Sequence, residues 1–309
     1  MKSINNENGM VLLLVLFITA LLAALLSELA FSTLVDLRLA ETYRDSTRAY
    51  YLAKGGIQVG SMVLADDGND YDGNDELWAQ GISNYPVGDI GIVSITITAL
   101  DGKININRLI SNSDNIDVVV KDRCLRLFNI LGIDAAQEHI YALIDWIDSD
   151  NRSDNNPGGY GAEAEYYAGQ TPSSFCKNAA LDTLEELQLV AGFTKDEVDK
   201  LRPHVSVYGG DKIHLNSASV EVLCSLAKDM EMSDAEAIVA QRKDNPFHTV
   251  DELNILPNGP SIYIMIHDFV DVKAQYYRIN TIASIADGRC RTKATINKTD
   301  NTLIYMQIY

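Results

Sequence analysis

Residues 9–26, GMVLLLVLFITALLAALL, place a glycine directly before an apolar run from Met10 to Leu26. In a helix this run rises about 25 Å, the short end of what crosses a bilayer. A secretory signal carries a small-x-small cleavage site after its apolar core, but here the match, residues 30–32, follows Glu28. The glycine indicates instead a cut after Gly9 that leaves the apolar helix on the mature chain. An uncleaved anchor and a conventionally cleaved signal are the alternatives.

The charge of the chain constrains its partners. Asp and Glu number 43 against 25 Lys and Arg, for a formal net charge of -18. Such a surface repels nucleic acid and anionic headgroups, and it suits divalent cations and protein partners. Lys2 precedes the apolar run, whereas three acids and one base follow it: Glu28, Asp36, Glu41 and Arg38. This asymmetry favours a cytoplasmic leader and an exported body.

The helix is predicted to continue well beyond the membrane. Residues 27–64 contain no proline, so one helix from Met10 to about Leu64 would be roughly 80 Å long. Small residues recur on one face of it: Ala49, Ala53, Gly56 and Gly60. We expect this face to pack on a sheet, and close helix–helix contact in an assembly is the alternative.

Strand patterns stand on both sides of a helical block. GIVSITITA (91–99) and KININ (103–107) precede it, joined by Asp101-Gly102, a dipeptide typical of a two-residue hairpin. Strand patterns return at 276–285, 291–296 and 303–308. Helical periodicity fills the middle of the chain, at 116–131, 134–148, 181–191, 194–203, 217–229, 233–243 and 249–256.

This order predicts an α+β fold, with a long N-terminal helix packed on an antiparallel sheet and a large all-α domain inserted. The late strands complete the sheet that the early strands begin. We therefore predict a leader at 1–9, a transmembrane helix at 10–29, a discontinuous αβ domain at 30–110 plus 268–309, and an inserted α-helical domain at 111–267.

The segment 145–165 is rich in carboxylates: Asp145, Asp148, Asp150, Asp154, Glu163 and Glu165. Its proline and glycines let the loop fold back, and calcium takes six to eight oxygen ligands in flexible geometry. EF-hand spacing fails, because Arg152 occupies the fifth position counted from Asp148. We predict a calcium site of another kind, with a solvated acidic loop as the alternative. The acidic loop at 66–76 is predicted to be a surface loop.

The four cysteines show no C-x-x-C spacing, which disfavours zinc and thioredoxin-like chemistry. We expect a Cys124–Cys176 disulfide, because both flank the same central segment, and four free thiols are the alternative. The five histidines show no metal-ligand spacing, and no Walker A, dinucleotide or nucleophile-elbow motif occurs. We therefore do not expect an enzyme.

Residues 213–256 resemble a helix-hairpin-helix unit of competence DNA receptors, through LNSASVEVL, AEAIVAQR and PFHTVDEL. In DNA-binding versions a glycine-containing hairpin presents backbone N–H groups to phosphate. Here the hairpin at 228–232, KDMEM, has no glycine and two acids. We expect the scaffold without nucleic-acid binding.

Nearly the full chain resembles the K-class minor pseudopilin of type II secretion systems. The resemblance rests on the Gly9-Met10 prepilin-type junction, the long helix, the pilin-like αβ domain, and inserted helices bearing DWIDSD…EAEYYAG and IHLNSAS. Most pilin-like proteins have glutamate at the fifth mature position. Counted from Met10 this position is Leu14, and K-class members likewise lack the acid. A subunit without it needs no subunit above, which suits a fibre tip.

The resemblance implies cleavage after Gly9 and N-methylation of Met10 by a prepilin peptidase. It also implies a single-pass inner-membrane protein with a periplasmic body, which joins the I- and J-class minor pseudopilins and the major pseudopilin to initiate a pseudopilus that exports folded proteins. Family members carry calcium in the α domain, and the candidate ligands here are Asp148, Asp150, Asp154, Glu163 and Glu165. A minor pilin of a type IV pilus and a membrane-anchored helix-hairpin-helix DNA-binding protein are the alternatives.

Overall fold

The computed structural model describes residues 7–89, 91–111, 115–153, 160–171 and 173–309. Helix α1 runs without interruption from Glu7 to Ala65, which corresponds to about 90 Å. Its residues from 10 to 40 are all exposed, and Asp45 is the first buried residue along it. The predicted single long helix is therefore confirmed, with an N-terminal part that projects and a C-terminal part that packs.

The strands are β1 (Ile82–Val87), β2 (Gly91–Ala99), β3 (Ile104–Asn105), β4 (Val205–Ser206), β5 (Ile213–His214), β6 (Val270–Asp271), β7 (Tyr276–Ile285), β8 (Gly288–Asn297) and β9 (Thr302–Ile308). Five of them form an antiparallel sheet in the order β1-β2-β7-β8-β9. At its centre β2 pairs with β7, with Ile97 opposite Ile279. Strands from before and after the helical block thus share one sheet, as the α+β prediction requires.

The small-residue face of α1 packs on this sheet, as predicted. Ala49 and Ala53 are fully buried. A Cβ atom added at Gly60 would lie 2.9 Å from Cγ2 of Ile279, and Gly56 lies similarly close to β7. Glycine and alanine therefore let the helix backbone approach the strands, and larger residues would push it away.

The remaining helices are α2 (Leu77–Gln80), α3 (Val118–Ile130), α4 (Ala136–Ile147), α5 (Ala164–Ala168), α6 (Lys195–Leu201), α7 (Val220–Ser225), α8 (Met232–Asp244) and α9 (Gly259–Ile266). The segments predicted as helices at 181–191 and 249–256 form short 3-10 helices instead. One hydrophobic cluster draws its members from 104–272, and a second from 49–97 and 274–296. The domain boundaries themselves stay predictions.

The predicted hairpin at Asp101-Gly102 is wrong. Strand β3 pairs in parallel with β4, and β2 pairs with β1 and β7. The Asp101 side chain is buried and accepts the backbone N–H groups of Gly210, Gln275 and Tyr276. A Cβ at Gly102 would collide with Ser217. Asp101 and Gly102 therefore hold together the segments by which the chain enters and leaves the helical block.

Candidate functional site

Helix α1 holds the predicted processing junction. Gly9 and Met10 lie in its first turns, and Leu14 follows one turn later with 60% of its surface exposed. Among the described residues, α1 alone is long and apolar enough to cross a membrane, and none of its most apolar stretch is buried in the protein. Its first acidic residue after Met10 is Glu28. An exposed apolar helix of this length requires lipid or other helices around it.

Three carboxylates come together beneath the 145–165 loop. Asp145, Asp148 and Glu163 each place one oxygen within 4.8 Å of the others, and all three are buried. Asp145 and Asp148 are three residues apart at the end of α4, so they share a face. Glu163 precedes α5 and reaches them because the loop turns back at Gly161, whose φ is +144°.

A backbone contact closes this loop over the cluster. The Ala162 N–H donates to Oδ2 of Asp145 at 2.6 Å. A Cβ at Gly161 would lie 2.5 Å from the same oxygen. The position therefore combines a backbone conformation and a close approach that both favour glycine. Glu163 also lines a depression shared with Ser153 and Glu165, while its own side chain is buried.

The predicted calcium ligands divide into three groups. The structure brings Asp148 and Glu163 together and adds Asp145, which the predicted ligand set omits. Asp150 is exposed and accepts the N–H of Arg152 at 2.7 Å, and Glu165 is exposed beside the depression. Asp154 lies outside the described residues. The sequence feature that could have identified Asp145 as a member of the cluster is its position three residues before Asp148, near the end of an apolar helix.

The predicted Cys124–Cys176 disulfide is absent. All four cysteines are among the described residues and are free thiols. Cys124 is fully buried in α3, where burial raises the pKa of its thiol to about 12. The Cys176 thiol donates to the backbone carbonyl of Asp145 at 3.3 Å. Flanking the same segment does not bring these two thiols together: Cys124 lies within α3, and Cys176 bonds to the end of α4.

The 66–76 loop is not a simple surface loop. Asp67, Asp72 and Glu76 lie close enough to hold an ion, but Lys298 Nζ lies 2.7 Å from carboxylate oxygens of both Asp67 and Asp72. Burial acts to raise the pKa of Asp72, yet the hydrogen bonds from Lys298 and Ala274 outweigh it and lower the pKa. An internal ammonium group therefore supplies the positive charge in this second cluster.

The IHLNSAS segment ties the helical block to that loop. His214 is buried; its Nε2 lies 3.0 Å from the Asp72 carbonyl and its Nδ1 2.7 Å from Ser217 Oγ. Since a carbonyl only accepts, Nε2 carries the proton. Asn216 donates to the carbonyls of Asp72 and Phe247 and accepts the Phe247 N–H. These residues hold two parts of the fold together, a role that their resemblance to DNA-binding hairpins does not reveal.

The comparisons with known proteins agree with this architecture. Two family models, both described as type II secretion system (T2SS) protein K, match residues 102–210 and 213–268, together more than half of the chain. Type II secretion system protein K of Aeromonas hydrophila is 26% identical over 99% of this chain and 98% of its own length. The protein of that name from Pseudomonas aeruginosa is 26% identical over 80% of this chain and 76% of its own.

A solved structure shows the same fold. It is described as the GspK-GspI-GspJ complex of the enterotoxigenic Escherichia coli type 2 secretion system, and one chain matches with a TM-score of 0.73 at 18% identity, covering 88% of this chain and 99% of that one. The long exposed helix on an antiparallel sheet defines a pilin-like membrane subunit. The chain belongs to the type II secretion system protein K family, the minor pseudopilins of type II secretion.

Proposed function

We propose that this chain is an inner-membrane prepilin that is cut after Gly9, methylated at Met10, and placed at the tip of the pseudopilus. The observation that carries this proposal is the exposed apolar stretch of α1, which begins at Met10 and has Leu14 as its fifth residue. A carboxylate inside the membrane is costly unless it is paired. A subunit with leucine there makes no demand for a neighbour above it, so it can end the fibre.

The partners proposed for α1 are the I- and J-class minor pseudopilins, followed by the major pseudopilin. Beyond the predicted transmembrane segment, large apolar residues of α1 remain uncovered: Phe31, Leu34, Leu37 and Tyr43 are 54–77% exposed. An apolar surface of this size on an exported protein marks a protein interface. The related K-class chain of known structure was solved with I and J subunits.

Co-purification tests these partners. The full chain, tagged and co-expressed with I and J subunits, should recover both from detergent-solubilised membranes. Leu34→Glu should weaken recovery, because it places a charge among these exposed apolar residues. Gln58→Glu, at an exposed position of α1 beyond these residues, adds the same charge and should weaken recovery less. Failure to recover either subunit with the unmodified chain would contradict the proposed assembly with the I and J subunits.

The Asp145–Asp148–Glu163 cluster is proposed to bind calcium. Two carboxylate charges within 4.8 Å of each other repel by about 3 kcal/mol or more at an effective dielectric constant near 20. An all-oxygen donor set with a flexible loop beside it fits calcium better than softer metals. When bound, the ion would offset this repulsion and fix the loop between α4 and α5.

Calorimetry with the full chain in detergent tests the calcium site. Glu163→Gln should abolish binding, because it removes a charged ligand. Glu236→Gln, a change at an exposed position of α8, should leave binding unchanged. Absence of heat at millimolar calcium in the unmodified chain would end the calcium proposal and leave the assembly proposal standing.

A further inference from the structure

The five-stranded sheet has two edges that differ in construction. Edge strand β1 contains Pro86, which has no N–H, and Asn84, whose φ is +50°. Its register with β2 shifts between Ile82 and Tyr85. Proline, irregular backbone and register breaks are the features that prevent another strand from pairing with an edge. The β1 edge is therefore closed to strand addition.

The β9 edge has few of these features. Its sequence, TLIYMQI (302–308), contains no proline, glycine or charged residue. Leu303, Ile304 and Ile308 are 53%, 41% and 48% exposed. The register with β8 shifts once, near Ile304, and is regular from Tyr305 onward. An uncharged, exposed edge strand is a template for pairing with another chain.

The backbone hydrogen bonds show which groups face outward. Arg291 and Tyr309 exchange both backbone bonds, with N···O distances of 3.3 and 2.8 Å. Bonded and non-bonded pairs alternate along an antiparallel ladder. Ile308 opposite Thr292, and Met306 opposite Ala294, are therefore non-bonded pairs. Their N–H and C=O groups point away from β8, and no strand of the described chain lies beyond β9.

The strand beside this edge carries a row of positive charge. Arg289, Arg291 and Lys293 alternate on β8 with buried residues that face α1, so they lie on the opposite face of the sheet. Arg289 and Arg291 form no ion pair among the described residues, whereas Lys293 lines a cleft together with Glu185, whose carboxylate partly offsets its charge. Lys293 Nζ lies 5.0 Å from the centre of the Tyr309 ring, so this side chain leans across β9 toward the open edge. In a chain of net charge -18, this row favours an acidic partner.

The membrane surface is too distant to be that partner. The turn that begins β8 lies against Asp45 of α1, since a Cβ at Gly288 would lie 2.2 Å from the Asp45 backbone. The helix between residues 26 and 45 spans about 28 Å, several times the Debye length of about 8 Å in physiological salt. The basic row therefore acts on protein rather than on lipid headgroups.

The turn before β9 contacts the helix by which the chain joins its fibre. Ser61 of α1 donates to the side chain of Asn301, in the turn before β9. A subunit packed along α1 can therefore reach this edge. We propose that β9 accepts one extended, acidic segment of a neighbouring I- or J-class subunit as a sixth strand, with main-chain bonds to Met306 and Ile308 and acidic side chains over Arg291 and Lys293. The choice of partner rests on the proposed function.

Hydrogen exchange on the full chain in detergent, with and without co-purified I and J subunits, tests this inference. The amides of Met306 and Ile308 should exchange freely in the chain alone and become protected in the complex. Ile308→Pro removes an outward N–H without breaking the ladder to β8. It should weaken recovery of the partner about tenfold relative to Ile308→Ala, which keeps that N–H.

Charge reversal supplies a second readout. Arg291→Glu should weaken partner recovery and make it less sensitive to salt, whereas Lys243→Glu, an exposed position on α8, should leave both unchanged. A complex in which the amides of Met306 and Ile308 still exchange as fast as in the chain alone would overturn the edge proposal and leave the proposed function intact. No complex at all would overturn both. Equal recovery with Ile308→Pro and Ile308→Ala would also overturn the edge proposal.

Discussion

Gly288→Ala should destabilise the packing of α1 on the sheet near Asp45, the first buried residue of the helix. The added Cβ would lie 2.2 Å from the Asp45 carbonyl carbon and 2.4 Å from the backbone nitrogen of Ser46, against an ordinary contact distance of 3.4 Å or more. The helix must therefore retreat by about 1 Å. Backbone atoms cannot rotate aside as a side chain can, so we expect the upper end of the usual overpacking cost, about 3 kcal/mol.

The fluorescence of the two tryptophans can show which part of the fold the substitution destabilises. Trp78 lies in the sheet core, edge-on to Tyr277 with ring centres 5.2 Å apart, and Trp146 lies in the helical core. In a Trp146→Phe background, the fluorescence of Trp78 reports the sheet alone. The midpoint of thermal unfolding of the full chain in detergent should fall by roughly 6–12 °C for a loss of about 3 kcal/mol.

Gly55 supplies the control. It lies in α1 with nothing within 4 Å of an added Cβ. Gly55→Ala should stabilise the helix by up to about 1 kcal/mol, because alanine is the better helix former. If Gly288→Ala unfolds at the same temperature as Gly55→Ala, the turn before β8 does not press on α1, and the reasoning from close approach is refuted.

Three further outcomes are expected. Lys298→Met should cost about 3 kcal/mol in denaturant unfolding, because it leaves the buried carboxylate of Asp72 without its ammonium partner, whereas Lys273→Met, at an exposed ion pair, should cost less than about 1 kcal/mol. Burial lowers the pKa of His214 below 6.5, so as the pH drops below about 6.5 this histidine is protonated in the unfolded chain before it is protonated in the folded chain. The stability of the fold should therefore decrease below that pH. His214→Gln should reduce this pH dependence of stability, measured by thermal melting at a series of pH values. Calcium at a hundredfold excess over its dissociation constant should add about 3 kcal/mol of stability, and that gain should vanish in Glu163→Gln.

Local patterns predicted the elements that depend on local chemistry. The apolar run and the absence of proline up to residue 64 predicted α1, and alternation predicted the strand at 276–285 with the limits observed for β7. Recognising strands on both sides of a helical block predicted one shared sheet. Strand β1 was not predicted, because Pro86 and Asn84 are residue types typical of loops and here occur in an edge strand.

Long-range contacts account for the remaining errors. Asp101 has the sequence context of a hairpin, but its carboxylate accepts N–H groups from Gly210 and from residues far along the chain. No local pattern encodes those partners. The carboxylate cluster was predicted as a loop property, whereas the structure shows that the end of α4 contributes Asp145 and Asp148 together. Glu163 is buried and belongs to the cluster, whereas Glu165 is exposed and does not. The number of acids in the loop does not reveal this difference.

The mass of the N-terminal peptide of the chain, recovered from membranes of cells with and without a prepilin peptidase, tests the central claim most directly. The account predicts a terminus at Met10 that carries one added methyl group, and only when the peptidase is present. An intact Met1, or a new terminus near Thr33 after conventional signal cleavage, would contradict it.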